Sequence, residues 1–277
     1  MQESILKRWS LNILLALVLA FMLAPILIVF VNSFNSSAFN AWPPQGFTLD
    51  WYRKVLANPA FQRGTINSLL IGTVSTAIVL VLGTPLAYGL ARLNIPGLAA
   101  LKSVLFAPLV VPRVAIGFAL FVLFVTFGML TGIRPYGTFW GVVLAHSVLM
   151  LPFVVAILAA SFGEVDPIVE EAARDLGATP LQAFRLAVLP QVKGALLVSS
   201  IFAFITSFDE VETTLFVVRP AINTLPVEMY NYLEQYQDPS IAALSVLLIA
   251  FTFLVVLVIP FFVKGGDLFR MFASGRK

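Results

Sequence analysis

Four ionisable side chains stand inside apolar runs long enough to be membrane helices. Asp209, Glu210 and Glu212 interrupt the run 195–218, and Arg113 sits between Pro112 and Val114 in the run 101–127. At bilayer depth each charge costs at least ~2.5 kcal/mol unless it faces a cavity or a partner. Two kinds of chemistry are open to such groups. They pair with an opposite charge, Arg219 or a partner chain included, or they meet a charged solute on its way through. On a continuous helix Asp209 and Glu212, three residues apart, share a face, and Glu210 points about 100° away. Counted from Ala195, Asp209 lies about 21 Å along the axis at the helical rise per residue. The prolines around Arg113 break their run and open its backbone to a central cavity. Arg113, Asp209, Glu210 and Glu212 are the candidate pathway residues.

Other chemistries are thinly represented. The chain has no cysteine, which removes disulfides and thiolate metal sites. Its one histidine, His146, excludes multi-histidine metal or haem sites and reads as a packing residue rather than a proton relay. No Gly-rich loop ending in Lys-Ser or Lys-Thr offers a phosphate cradle. The chain reads as neither a metal site nor an enzyme on its own.

A second concentration of charge is the stretch EEAARDLGATPLQAFRLAVLP, residues 170–190, which carries Glu170, Glu171, Arg174, Asp175 and Arg185. Asp166 is a good N-cap with Pro167 at the first helical position. Ile168, Ala172 and Leu176 stripe one face, and Gly177 supplies the left-handed residue that ends a helix. A second helix starts with Thr179 as cap, Pro180 first and Gln182 completing a capping box. Leu181, Phe184 and Val188 form its apolar stripe, and Pro190 marks its end. Such a helix–turn–helix either rests on the bilayer surface or docks a soluble partner, whose close approach the small residues Ala172, Ala173 and Gly177 allow.

The elements that must position these groups are membrane helices. The chain is 60% hydrophobic and 11% charged, with a mean hydropathy of +0.96, where a soluble domain is about a quarter charged. Six runs span the hydrocarbon core: roughly 11–31, 66–90, 101–127, 138–162, 195–218 and 241–263. The first follows Lys7 and Arg8 but is too long for a signal peptide and lacks a small-residue cleavage site, so it is expected to remain as a helix. With both termini, the 91–102 loop and the 163–194 loop on the cytoplasmic side, eleven cations face in and five face out. The outer stretch WPPQGFTLDWYRKVL reads as an aromatic anchor followed by a short interfacial helix. One transmembrane domain, 1–277, with no soluble domain, is expected.

The stretch EAARDLG, nine residues, then AVLP resembles the cytoplasmic signature loop of permease subunits in binding-protein-dependent ABC importers. Glu171, Ala172, Ala173, Gly177, Leu189 and Pro190 match that pattern at the right spacing, while Ala187 stands where isoleucine is usual. FNSSAFNAWPPQGFTLDWY, PLVVPRVAIG, ITSFDEVETTLFV and TLPVEMYNYLEQYQDPSIAALSVLLI resemble the spermidine/putrescine-type branch, some members of which carry opines or amino-acid derivatives. The resemblance implies an all-α integral membrane protein with six transmembrane helices, the type I ABC importer permease (MetI-like) fold, in a bacterial inner membrane. It implies a second permease chain, two cytoplasmic ABC ATPases that bind ATP and Mg, and a periplasmic solute-binding protein, with no nucleic acid and no cofactor held by this chain. It makes Glu170, Glu171, Ala172, Ala173, Asp175, Gly177, Ala178, Leu189 and Pro190 the ATPase-docking set. An acidic residue is frequent at position 113 in that branch, so Arg113 with Asp209 suits a zwitterion or a carboxylate-bearing solute better than a pure polycation. A gradient-driven transporter or channel would keep the intramembrane acids but has no use for the capped loop. A membrane anchor for a soluble complex would leave those acids unexplained.

Overall fold

The structure, a computed structural model, describes the backbone of residues 2–93 and 96–262, with the side chains of 9–93 and 96–257. The side chains of Lys7 and Arg8, the end of the sixth run at Val263, and Lys264, Arg270, Arg276 and Lys277 lie outside the described residues. Among the described residues, regular structure is helical and strand pairing is confined to one bridge between Asn35 and Phe47. Among the described residues six helical stretches are long and apolar enough to cross a membrane: Trp9–Asn32, Pro59–Arg92, Arg113–Thr131, Phe139–Glu164, Pro180–Phe208 and Ser240–Leu257.

Two compact units share the chain. One comprises the described parts of Met1–Phe61 and Met229–Phe253. It holds α1 (Gln2–Asn32), whose described side chains are largely exposed, and α2 (Asp50–Ala57). The turn between them hangs on buried Asn35, whose side-chain oxygen accepts from the amides of Ser37 at 3.0 Å and Gln45 at 3.2 Å. The Trp51 indole donates to the Asn35 carbonyl at 2.7 Å, which sets α2 against that turn. Lys54 of α2 reaches Asp238 at 2.6 Å.

The other unit comprises Gln62–Glu228 and the described part of Leu254–Lys277. Its axis is α6 (Phe139–Glu164), the most buried of the six spans. Towards one end Val154, Val155, Leu158 and Phe162 of α6 pack with Val79 and Ala87 of α3 (Pro59–Arg92) and with Val188 and Val192. Towards the other end, Val142 and Val143 pack with Ile71 of α3 and with Leu120 and Phe124 of α5 (Arg113–Thr131).

Two of the six sequence runs differ in the structure. The run 101–127 is not one span. α4 (Leu98–Phe106) continues as a short 3-10 turn to Leu109, the chain bends, and α5 begins at Arg113. Pro112, extended at ψ 133°, has no amide to continue a helix, and it bars Val111 from helical geometry. The run 195–218 is broken as well. α9 (Lys193–Phe208) stops, residues 209–213 leave the helix, and α10 (Thr214–Val217) resumes. Upstream, Pro190 does not end a helix. α7 (Pro167–Asp175) and α8 (Pro180–Ala183) form the loop, and from α8 the helical path runs on through a π turn, Phe184–Val188, and a 3-10 turn, Leu189–Val192, into α9. The wide π turn takes up the amide and the space that Pro190 denies the helix. The segment 219–240, between the fifth and sixth runs, contains α11 (Leu225–Gln235), whose first amide is capped by Ser68 Oγ at 2.9 Å. The sixth span lies in α12 (Ser240–Phe262).

Candidate functional site

The two breaks meet. Arg113 is the first residue of α5, where the helix dipole disfavours a cation. Its Nη1 donates to Glu210 Oε2 at 2.8 Å, and the Glu210 side chain is fully buried whereas that of Arg113 is 42% exposed. Glu210 Oε1 also accepts from the Thr213 amide at 2.8 Å, and the Thr213 hydroxyl donates to the Arg113 carbonyl at 3.2 Å. The carboxylate thus satisfies a cation and an amide that the two breaks leave without helical partners. Gly117 makes the approach possible: a Cβ there would stand 2.8 Å from Thr213 Cα and 2.9 Å from the Phe216 ring.

From the other side α6 fastens the same break. His146 is wholly buried, with Nδ1 2.7 Å from Ser207 Oγ at the end of α9 and Nε2 2.9 Å from Thr214 Oγ1 at the start of α10. The Thr214 hydroxyl spends its proton on the Glu210 carbonyl at 3.0 Å, so Nε2 must donate to it and Nδ1 must accept from Ser207. This is the neutral Nε2–H tautomer, and it bridges both ends of the gap. Asp209 and Glu212 are exposed and, with the backbone out of helix, do not share a helix face. Arg113 is therefore paired with Glu210, not opposed to Asp209.

At the far end of α6 the 163–194 loop is built as its caps dictate. Asp166 Oδ1 accepts from the Ile168 amide at 3.0 Å, Gly177 has φ +87°, and Thr179 and Gln182 close a reciprocal capping box. Its residues divide into two faces. Glu170 turns inward, accepting from the Tyr88 hydroxyl at 2.6 Å and from Arg174 at 2.6 Å, and is only 8% exposed. Phe184 packs edge-on against Tyr88 at 4.8 Å, and Leu189 is half-buried on the core. Glu171, Ala172, Asp175, Gly177 and Pro190 are exposed, with Ala173 and Ala178 half-buried. Glu170 and Leu189, grouped by sequence with the docking residues, therefore hold the loop to the membrane helices.

A family model described as a binding-protein-dependent transport system inner membrane component matches residues 80–265, which include both breaks and the whole loop. The chain belongs to this family. It is 30% identical, over 86% of its length and 88% of the relative's, to the spermidine/putrescine transport system permease protein PotC of Escherichia coli (strain K12). To the putrescine transport system permease protein PotI of the same strain it is 33% identical over 87% of this chain and 85% of that one. To the trehalose transport system permease protein SugB of Mycobacterium tuberculosis it is 31% identical, over 82% and 84%. A bacterial ABC transporter that imports the acidic polysaccharide alginate has the same fold, with a TM-score of 0.73 at 17% identity over 96% of this chain and 98% of that one. An amino acid ABC transporter follows at a TM-score of 0.55, 21% identity, 78% of this chain and 98% of that one. The fold is that of ABC importer permeases, and the protein is a transmembrane permease subunit of such an importer.

Three features of this permease escaped the sequence reading. Gly117 is one small residue in an apolar run, and nothing local marks it as the point where Thr213 crosses. The Ser207–His146–Thr214 bridge joins residues more than sixty positions apart. The Tyr88–Glu170 bond is also long-range, although the spacing of Glu170 and Arg174 on a short helix signals their pair.

Proposed function

We propose that this permease passes a small nitrogenous solute, a polyamine or a related opine or amino-acid-like compound, from a periplasmic binding protein to the cytoplasm. It works beside a second, different permease chain and over two ATPase subunits that bind the ATP and Mg. The 163–194 loop and both termini then lie in the cytoplasm of a bacterium, and the membrane is the inner one. The polyamine systems of two relatives support the solute class. So does the break at 209–213: Glu210 holds the charge of Arg113, so Asp209 and Glu212, its exposed charges, are both acidic. Arg113 then no longer argues against a polycation.

One observation carries the docking role. α7 and its C-cap show their apolar stripe outward, with Ile168 65% and Leu176 89% exposed, while Glu170, braced by Arg174 of the same helix, ties the opposite face to Tyr88 of α3. A helix anchored on its polar side and bare on its apolar side is built to be covered, and Ala172 and Gly177 keep the approach close. Energy from ATP then arrives as a push on α7, passed to α3 through Tyr88 and to α9 through the continuous path from Pro180. The test is at Gly177, where a Cβ meets nothing within 4 Å but the φ of +87° suits few residues other than glycine and asparagine. Gly177→Val should lose ATPase co-purification and uptake while the membrane domain still assembles, and Gly177→Asn should keep both. Normal uptake by the valine variant would remove α7 from coupling.

A further inference from the structure

At the end of α5 remote from the α7 loop, a cavity of about 240 Å³ has an apolar floor of Phe124, Val125 and Met129 and a rim of Tyr136, Arg134 and Arg219. The rim is built rather than incidental. The Arg219 stem occupies the place a side chain on Gly137 would take, so close that no Cβ fits, and Gly137 is held at φ +71°. Its guanidinium carbon lies 4.9 Å from the centre of the Tyr136 ring, within cation–π range. The Arg134 stem crosses Gly128, where a Cβ would stand 3.3 Å from Arg134 Cγ. Neither guanidinium is paired with a carboxylate among the described residues.

Two guanidiniums without a carboxylate partner among the described residues, beside an apolar floor, suit an anion that carries a hydrocarbon root. Met129 at the C-terminal end of α5 is 81% exposed, so the apolar side of the cavity is open to a lipid chain. We propose that this cavity binds an anionic phospholipid, whose phosphate takes bidentate bonds from Arg134 and Arg219 while Phe124, Val125 and Met129 receive the glycerol end of an acyl chain. Inorganic phosphate shares the headgroup chemistry but leaves the floor uncovered. In a zwitterionic phosphatidylcholine headgroup the choline cation is repelled by the second guanidinium.

The full-length protein in mild detergent, titrated with phosphatidylglycerol, phosphatidylcholine or inorganic phosphate, tests this by native mass spectrometry and thermal midpoint. Phosphatidylglycerol should be retained and should raise the midpoint, and phosphatidylcholine should do neither. An Arg134→Gln/Arg219→Gln variant should retain about tenfold less phosphatidylglycerol, as expected for the loss of charge-assisted bidentate bonds, and an Arg134→Lys/Arg219→Lys variant should fall between. Equal retention of the two lipids by the wild type overturns the proposal even if the variants fail to fold. Equal retention of phosphatidylglycerol by the wild type and the Gln variant overturns it too. A full shift with inorganic phosphate alone makes the cavity a soluble-anion site, and protection of the arginines only by an acidic partner protein makes it a protein contact; either replaces the lipid.

Discussion

Arg113 and Glu210 share one bond but not one environment. The Glu210 side chain is fully buried and that of Arg113 is 42% exposed, so the two single mutants should differ. Arg113→Gln strands a buried carboxylate and should cost about 3–5 kcal/mol. Glu210→Gln leaves a cation that can still reach water and should cost clearly less. The double mutant should recover part of the Arg113→Gln loss, and complex yield with thermal midpoint in detergent reads all three. Equal penalties would mean that the pair is wetter than its burial implies. Asp209 is the contrast: it is exposed, so Asp209→Asn should leave yield unchanged and lower uptake of a cationic solute. Full uptake would take Asp209 off the pathway.

Helices in this protein meet where their surfaces allow, and Gly117 is the sharpest instance. In a helix interior Gly→Ala is normally worth about 0.5–1 kcal/mol in favour of alanine. Gly117→Ala should reverse that sign and destabilise by about 1–3 kcal/mol, because its Cβ would collide with Thr213 and Phe216. Gly163→Ala, where a Cβ meets nothing within 4 Å, is the control and should be neutral or stabilising. Opposite results at the two sites would refute the close crossing of α5 and the 209–217 segment. The α2 clamp has its own signature in pH. Burial alone would raise the Asp238 carboxyl, but hydrogen bonds from Lys54, Ser240 and Tyr232 outweigh it and hold the group below its ordinary 3.8. The hydrogen bond to Asp238 likewise raises Lys54 above 10.5. A lowered acid contributes stability that is whole above its ordinary value and lost as pH falls through the lowered one. A raised base contributes stability that is whole below 10.5 and lost as pH rises through the raised value. Protection of the α2 amides against hydrogen exchange, relative to the intrinsic rate at each pH, should therefore be flat across neutral pH and fall at both extremes, and Asp238→Asn should abolish both arms. The effect is modest, because the Lys54 side chain is 49% exposed.

For the molecule as a whole, orientation decides everything that α7 can do. By the positive-inside rule, eleven cations against five predict a cytoplasmic α7 loop. In this cysteine-free chain Asp175→Cys should react with an impermeant thiol reagent only in inverted vesicles, and Asn40→Cys only in intact cells. Both side chains are exposed, so access rather than burial sets the result. The reverse pattern would overturn the topology and the docking of an ATPase on α7 together.

What was legible in the sequence is what depends on neighbours along the chain. Six apolar runs, the caps Asp166 and Thr179, the Gly177 stop and the signature spacing are local, because hydrogen bonds within a helix and its transfer into lipid are set by consecutive residues. What only the tertiary structure decided is which charge answers which. Asp209, Glu210 and Glu212 are nearly equivalent on paper, and a continuous helix would have grouped Asp209 with Glu212. The chain leaves the helix after Phe208 because Glu210, held by Arg113 from 97 residues away, and the Ser207 and Thr214 hydroxyls, held by His146, satisfy what the helix gives up. In the same way Glu170 and Glu171 are adjacent and alike, and only Tyr88 on another helix turns the first inward and leaves the second outside. Periodicity in one helix carries no record of the helix that will lie against it.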